Sequence, residues 1–410
     1  MKVLQLCHKS PYPPKDGGCL AILNISQGLI NAGVELKILT IETTKHPFEK
    51  EIIPKDFLKK TGIESVFIDT SLNIVDAFSS LITQDSYNIS RFFSPDFDFK
   101  LTEELQNNEY DIIHLESLFM TPYISSIRAY SDARIVLRSH NLEFIIWKRL
   151  AKQSGNMAKK AYLKLLAHQL KNYELDVLNQ VDGIAAISKR DAKDFSELGS
   201  KKPKEVIPFG INLEEYQYKN ENNAELSLFH LGSMDWTPNV EGVNWFLESI
   251  WPQVHKDFPN ANFYIAGREM PEEFYKKNLT NVHVVGEVED AKKFITSNSI
   301  MIVPLLSGSG IRVKIIEGMA LGKAIISTSI GAEGLNFIHK DNIWIADNKN
   351  DFIEAINYFN KENDRIQQMG IAARELVKNE YDEAIIINNL INFYDTLIKK
   401  PIHNPGKITA

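Results

Sequence analysis

The chain has 410 residues, 44% of them apolar, and a formal net charge of −7. That length implies two domains, and the acidic balance excludes bulk attraction to nucleic acid. Cys7 and Cys19 give no disulfide framework and fit a reducing compartment. No signal peptide is expected, and no run of about 18 apolar residues is present to span a membrane.

Lys2–Cys7 reads as a buried strand and Ser10–Gly18 as a loop. Cys19–Ala32 has helical spacing, with Leu20, Leu23, Ile25, Leu29 and Ile30 apolar and Gly33 as its stop. Glu35–Ile41 is a second strand, and this order is a βαβ unit of a parallel sheet. Gly17 and Gly18 either admit a phosphate or sugar close to the backbone or form a simple tight turn. The glycine spacing of a dinucleotide fingerprint is absent.

Further strands are expected at Glu64–Asp69, Asp111–Leu115 and Arg134–Leu137, and Phe92, Phe93, Phe97 and Phe99 need packing partners. The later two strands run into polar residues, His114 and Glu116 in one case and Arg138–Glu143 in the other. Carboxyl ends of strands line the ligand crevice of open α/β sheets, so His140, Asn141 and Glu143 are site candidates. Phe144–Asn172 carries Lys148, Arg149, Lys152, Lys159, Lys160, Lys164 and Lys171 and no acidic residue. Trp147, Leu150, Tyr162, Leu163, Leu165, Leu166 and Leu170 are interleaved. It reads as one long amphipathic segment, either docking on an anionic membrane surface through 148–171 or presenting a solvated face. Val181–Ser188 is another strand, Val206–Asn212 closes the first half, and Lys219–Ala224 belongs to the interdomain linker.

The second half restarts the pattern. Strands are expected at Leu226–Leu231, Asn262–Ala266 and Val282–Val285, and helices at Val240–Trp251 and Ala291–Ser297. Ser299–Leu306 is a buried strand, Ser307-Gly-Ser-Gly310 a tight turn, Ile311–Leu321 a helix stopped by Gly322, and Lys323–Thr328 the next strand. Unpaired N–H groups at a helix start beside small residues make an anion site. Arg312, in the first helical turn, opposes the helix dipole unless an anion is bound. Lys314 and Glu317 share a helix face and otherwise read as a weak surface ion pair. The tail, Asp351–Ile398, is helical.

On these stretches the chain resembles the retaining, nucleotide-sugar-dependent glycosyltransferases of family 4 (the group 1 family). Pro11–Gly18 looks like their first loop, and Ser139-His-Asn-Leu-Glu143 like the His-Asn-Val-Glu stretch of one bacterial subgroup. Leu231–Asn239 looks like the start of the nucleotide-binding domain. Gly308–Ala320 with Gly322 and Ser327–Leu335 matches the signature region. The resemblance implies an α/β fold of the GT-B type: two Rossmann-like domains facing across a cleft. It places an N-terminal acceptor-side domain at 1–215 and a C-terminal nucleotide-sugar domain at 216–384. A terminal helix, about 385–410, packs back on the first domain.

By the same resemblance Glu317 binds the donor ribose, and Arg312 and Lys314 face the diphosphate. Arg268 lies near the base or phosphate. Gly17, Gly18, Gly232, Ser307, Gly308, Ser309, Gly310 and Ile311 complete the donor site. His140, Asn141 and Glu143 serve the acceptor side, His140 positioning sugar or acceptor. Two departures from the family stand out. The usual basic pair after the first strand of the second domain is missing from Ser233–Asn239. Ser309 replaces the first of two signature glutamates, which usually touches the donor sugar; this places the chain in the subgroup with Gly-Ser-Gly there. The implied reaction moves a hexose from a nucleoside diphosphate sugar to a hydroxyl of a saccharide or lipid-linked acceptor, in cell-surface polysaccharide or glycolipid assembly. The leaving phosphate takes the acceptor proton. No metal and no cofactor are expected; Asp96-Phe-Asp98 has the letters of a metal motif only. The expected location is the cytoplasm, at the inner membrane face. A nucleotide-sugar epimerase of the same fold and a silent nucleotide-sugar-binding subunit are the alternatives.

Overall fold

The computed structural model of the chain describes residues 1–69, 89, 92–139, 142–153, 155–218, 226–308, 310–361 and 364–400. They form two compact units, Met1–Gly210 with the chain from Ile386, and Ile211–Ile385. The expected linker at Lys219–Ala224 lies outside the described residues.

In the first unit the elements are β1 (Lys2–Cys7), α1 (Gly17–Asn31), β2 (Glu35–Glu42), α2 (Lys55–Thr61), β3 (Glu64–Phe67), α3 (Pro95–Asn107) and β4 (Ile112–Glu116). They continue with α4 (Ile124–Tyr130), β5 (Arg134–Ser139), α5 (Glu143–Gln153), α6 (Met157–Gln180), β6 (Gly183–Ala186), α7 (Lys189–Glu197) and β7 (Lys204–Val206). The sheet order is β3-β2-β1-β4-β5-β6-β7, parallel throughout. Side chains alternate across a strand, and here both faces are covered. Leu4, Leu6, Ile113, Leu115, Ile135 and Leu137 join one core; Val3, Cys7, Ile112 and Val136 join the other. That double burial is why these strands read as unbroken apolar runs.

The second unit holds β8 (Ser227–Leu231), α8 (Thr237–Trp245), α9 (Trp251–Asp257), β9 (Asn262–Ala266), α10 (Glu272–Tyr275), β10 (Val282–Gly286), α11 (Ala291–Thr296) and β11 (Ile300–Val303). After these come α12 (Val313–Ala320), β12 (Ala324–Ser327), β13 (Trp344–Ile345), α13 (Lys349–Lys361), α14 (Asp364–Glu380) and α15 (Glu383–Ile398), whose later part belongs to the first unit. Its sheet is also parallel, in the order β10-β9-β8-β11-β12-β13. Both units are therefore Rossmann-like.

Several boundaries differ from the sequence expectation for identifiable reasons. β11 stops at Val303 because Pro304 has no amide to extend the ladder. The helix expected over Val240–Trp251 widens into a π turn at Phe246–Ile250, just before Pro252, and restarts as α9. The basic segment 144–172 is not one helix. It breaks ahead of Asn156, whose side chain caps α6 by accepting from the Lys159 amide at 3.1 Å. The aromatic residues near α3 find partners: Phe92 stacks on Phe119, and Phe93 and Phe97 pack on Tyr123, while Phe99 is 72% exposed.

Candidate active site

Ligands of open parallel sheets bind beyond the carboxyl ends of the strands, where the strand order reverses. In the second unit that point lies between β8 and β11. β8 runs into Gly232, and β11 runs through Pro304 to the turn before α12.

Lys314 extends from the first turn of α12 back to the end of β8. Its Nζ donates to Asn239 Oδ1 at 2.9 Å, and Asn239 Nδ2 donates to the Ser233 carbonyl at 2.8 Å. Gly232 leaves room for both side chains, because a Cβ there would stand 2.8 Å from Lys314 Nζ and 2.7 Å from Asn239 Nδ2 and displace them. Among the described residues no carboxylate pairs with Lys314. Burial, and then the nearby Arg312 charge, push its ammonium down to about 7. Beneath it on β8, His230 is fully buried, with Nδ1 2.9 Å from the Ile302 carbonyl. Burial and Lys314 hold His230 well below the ordinary histidine range, so it is neutral.

Arg312 is corrected in one respect: it sits at the cap ahead of α12 and not in its first turn. Its guanidinium lies 4.9 Å from the Trp236 ring centre, and Nη1 donates to the Gly310 carbonyl at 2.8 Å. Gly308 has φ +120°, and a Cβ there would meet Arg312 Nη2 at 2.6 Å and the Trp236 ring at 3.0 Å. No side chain caps α12 and no acidic residue lies in its first turn, which leaves the positive end of the helix dipole without a carboxylate. Lys314 and Glu317 do not pair, despite their spacing. Glu317 instead accepts a hydrogen bond on Oε1 from the Tyr216 hydroxyl at 2.9 Å. Burial raises the Glu317 carboxyl, against the Tyr216 hydrogen bond and the Lys292 charge. Ser307 donates to Glu241 at 3.2 Å, Ile311 is half-buried and Arg268 follows β9 with an exposed side chain. Ser309 lies outside the described residues.

In the first unit the strand order reverses between β1 and β4. Asp16 caps α1 there, accepting from the amides of Gly18 and Cys19 at 2.8 and 2.9 Å. It also pairs with Lys9 at 2.7 Å. Against burial, which raises it, Lys9, the Cys19 amide and His46 hold Asp16 well below the usual carboxylate range. The chain's own carboxylate thus occupies the helix start at Gly17 and Gly18. Asp16, Cys19 and His46 bring three ligand atoms within 4.8 Å of one another, but the Lys9 ammonium already satisfies that carboxylate. Asp96 and Asp98 fall in the first turn of α3, where acidic residues complement the dipole.

His114 and Glu116 are spent inside the fold. Glu116 accepts from Gln5 at 2.9 Å and Arg138 at 3.2 Å and lies 3.2 Å from His114 Nε2. His114 Nδ1 is 2.5 Å from the Tyr394 hydroxyl, and all of these side chains are buried. After β5, His140 and Asn141 lie outside the described residues. Glu143 opens α5, and Glu174 of α6 accepts from the Glu143 and Phe144 amides, both at 3.0 Å. Burial pushes Glu143 up to about 7. It also pushes Glu174 up to about 8, its two amide donors opposing and the Glu143 charge adding to the rise.

Two family matches divide the chain along the same halves. Residues 17–215 match the family described as Glycosyltransferase Family 4, and residues 225–361 match Glycosyl transferases group 1. The chain carries the two domains of a GT-B glycosyltransferase. Solved structures share this fold. Sucrose-phosphate synthase from Thermosynechococcus elongatus superimposes with TM-score 0.70 at 16% identity, over 97% of this chain and 99% of that one. Anabaena HepE, in complex with UDP and glucose, does so with TM-score 0.64 at 13% identity, over 97% and 100%. A 44.6 kDa protein in the cps region of Klebsiella pneumoniae, itself uncharacterized, is 24% identical over 95% of this chain and 98% of its own length. Among the described residues no helix of this glycosyltransferase is long and apolar enough to cross a membrane.

Sequence reasoning missed Asn239, Trp236, His230 and Tyr216 as parts of the site. Asn239 and Trp236 lie within Leu231–Asn239 but carry no charge to single them out. Tyr216 has no local signal, since its partner Glu317 is 101 positions away.

Proposed function

We propose that this glycosyltransferase moves a hexose from a nucleoside diphosphate sugar to a hydroxyl acceptor, with retention at the anomeric carbon and without a metal. The observation that carries this reading is the Lys314–Asn239–Gly232 cluster at the carboxyl end of β8. It sets a cation with no carboxylate partner among the described residues beside a helix start that lacks an acidic cap. A diphosphate leaving group develops negative charge as its bond to the anomeric carbon breaks. Lys314, Arg312 and the α12 amides meet that charge without solvent reorganisation. Glu317, a carboxylate with acceptor capacity beyond Tyr216, takes the ribose hydroxyls. The acceptor oxygen bonds to the anomeric carbon on the face the phosphate leaves, and its proton passes to the leaving phosphate. His140, Asn141 and Glu143 serve the acceptor, with His140 in a positioning role.

The acceptor in this reading is a saccharide or lipid-linked glycan at the inner face of a membrane, in cell-surface polysaccharide or glycolipid assembly. Support comes from α5 and α6, whose Lys148, Lys152, Lys159 and Lys164 are exposed together with Leu150, Met157, Tyr162 and Leu165.

A thermal-shift panel of UDP, GDP, ADP and their sugars tests the donor site. Ligand at about 100 times Kd stabilises the fold by about 2.7 kcal/mol, so one base class should raise Tm clearly. Glu317→Gln should weaken that shift and abolish transfer; unchanged transfer would sink the assignment. Binding without transfer would favour the silent subunit, and donor turnover without acceptor the epimerase.

A further inference from the structure

We propose that Tyr216 is a positioning residue that sets the Glu317 carboxylate for a ribose diol. This rests on the donor-site reading and adds to it the group that orients its central carboxylate. Tyr216 follows a short 3-10 turn, Leu213–Glu215, and is 7% exposed. Its hydroxyl donates to Glu317 Oε1 at 2.9 Å, and among the described residues it is the one side chain that donates to that carboxylate.

Besides its hydroxyl, the tyrosine is held at its ring and at its carbonyl, and its neighbour Tyr218 packs on the same helix end. Lys292 Nζ stands 4.1 Å from its ring centre and is anchored by Glu215 at 3.0 Å. Arg374 donates to the Tyr216 carbonyl at 2.7 Å and also to the Ala320 carbonyl, where α12 ends. Two residues on, the Tyr218 ring lies so close to Gly322 that a Cβ there would fall 2.4 Å from it. The stretch from Leu213 to Tyr218 is thus strapped to the helix that carries Glu317.

The consequence is chemical. A carboxylate binds a vicinal diol through two acceptor directions in fixed geometry. With Oε1 engaged by Tyr216, the rotamer is fixed and the remaining lone pairs face one way. The hydroxyl serves a second purpose. Burial favours the neutral acid at Glu317, and a neutral acid is a poor diol acceptor. Tyr216, whose own ionisation is pushed far up by burial and by Glu317, stays a donor and opposes that drift. The other charged groups about the pair are Lys292 and Glu215 on one side and Arg374 beyond the carbonyl.

The test compares the nucleoside diphosphate that binds best in the thermal-shift panel with its 2′,3′-dideoxy form. Dissociation constants are measured at several pH values for wild type, Tyr216→Phe and Glu317→Gln. Wild type should prefer the ribose form. Tyr216→Phe should lose about tenfold or more of that preference, tenfold being the lower end of what a hydrogen bond to a charged group is worth, with dideoxy affinity unchanged. Its ribose affinity should also begin to fall at a higher pH than wild type as the medium is acidified. A Tyr216→Phe ratio and pH profile equal to wild type, with Glu317→Gln losing the ratio, would overturn this inference alone. Equal ratios in all three proteins would remove the donor-site reading beneath it. A loss of affinity for both ligands alike would mark Tyr216 as structural and also overturn the proposal.

Discussion

At the scale of single residues the proposed donor site turns on where Lys314 keeps its proton. Its folded value of about 7 lies below the ordinary lysine value of 10.5. The unfolded chain therefore binds more protons between those limits, so this residue's cost to the fold is full below pH 7 and fades as pH rises toward 10.5. A bound diphosphate reverses the local balance by supplying the counter-charge, and binding should take up a proton. Through Lys314, nucleotide affinity should accordingly fall as pH rises above 7, by up to about tenfold per pH unit, an alkaline limb separate from the acid limb that Glu317 sets. Calorimetric titration in buffers of different ionisation enthalpy reads that uptake directly. Lys314→Met should bind more weakly and show no such slope; an identical slope in the variant would locate the proton elsewhere. The candidates of this region could be picked out of the sequence because small residues, a helix start and charges at fixed offsets are local signals. Their partners were not. Asn239 lies 75 positions from Lys314, and the direction of each side chain depends on which strand end it meets. For the same reason Lys314 and Glu317 looked like an ion pair and are not one.

At the scale of elements, the buried parallel strands were the easiest part to read, since burial on both faces leaves no polar alternation to confuse with helix. Prolines set several true boundaries, as at Pro304 and Pro252. The basic segment is the element on which sequence and structure part most. Its composition reads as a continuous amphipathic face, whereas α5 and α6 form two helices whose apolar residues divide their duties. Leu163, Leu166 and Leu170 are buried, while Leu150, Met157, Tyr162 and Leu165 stay exposed between lysines. Exposed apolar groups among cations suit an anionic bilayer surface, where each Lys adds about 1 kcal/mol. The protein should co-sediment with phosphatidylglycerol-containing vesicles at low salt and release at about 0.5 M, where screening is strong. Replacing Lys148, Lys152, Lys159 and Lys164 by Glu should abolish this without lowering the nucleotide-induced Tm shift. Failure of wild type to bind such vesicles at low salt would leave α5 and α6 a solvated surface.

For the whole molecule, the path of the chain matters more than any one contact. The first unit is not closed when the chain leaves it at Gly210; it takes part of α15 back from Ile386 onward. Ile386, Ile387, Leu390, Phe393, Tyr394 and Leu397 are all buried in the core that also holds Val3, Ile38, Ile112 and Val136. Gly183 on β6 is open to that helix, because a Cβ would stand 2.6 Å from Leu397 and 2.7 Å from Phe393. Tyr394 completes the buried polar chain through His114 to Glu116. A helix this far along the chain adds non-local burial that the first half cannot supply alone. Leu390→Ala removes a fully buried side chain from that packing and should cost about 2–5 kcal/mol. The loss should appear in the unfolding of the first unit, followed by denaturant titration with tryptophan probes. Trp147 is the first unit's only tryptophan, so a Trp147→Phe background separates its signal from those of Trp236, Trp245, Trp251 and Trp344. The proposed donor cluster of Gly232, Asn239, Arg312, Lys314 and Glu317 lies within Ile211–Ile385 and should keep its nucleotide-induced stabilisation. An equal loss in both transitions would mean the two units unfold as one cooperative body, and each stability argument above would then apply to the chain as a whole.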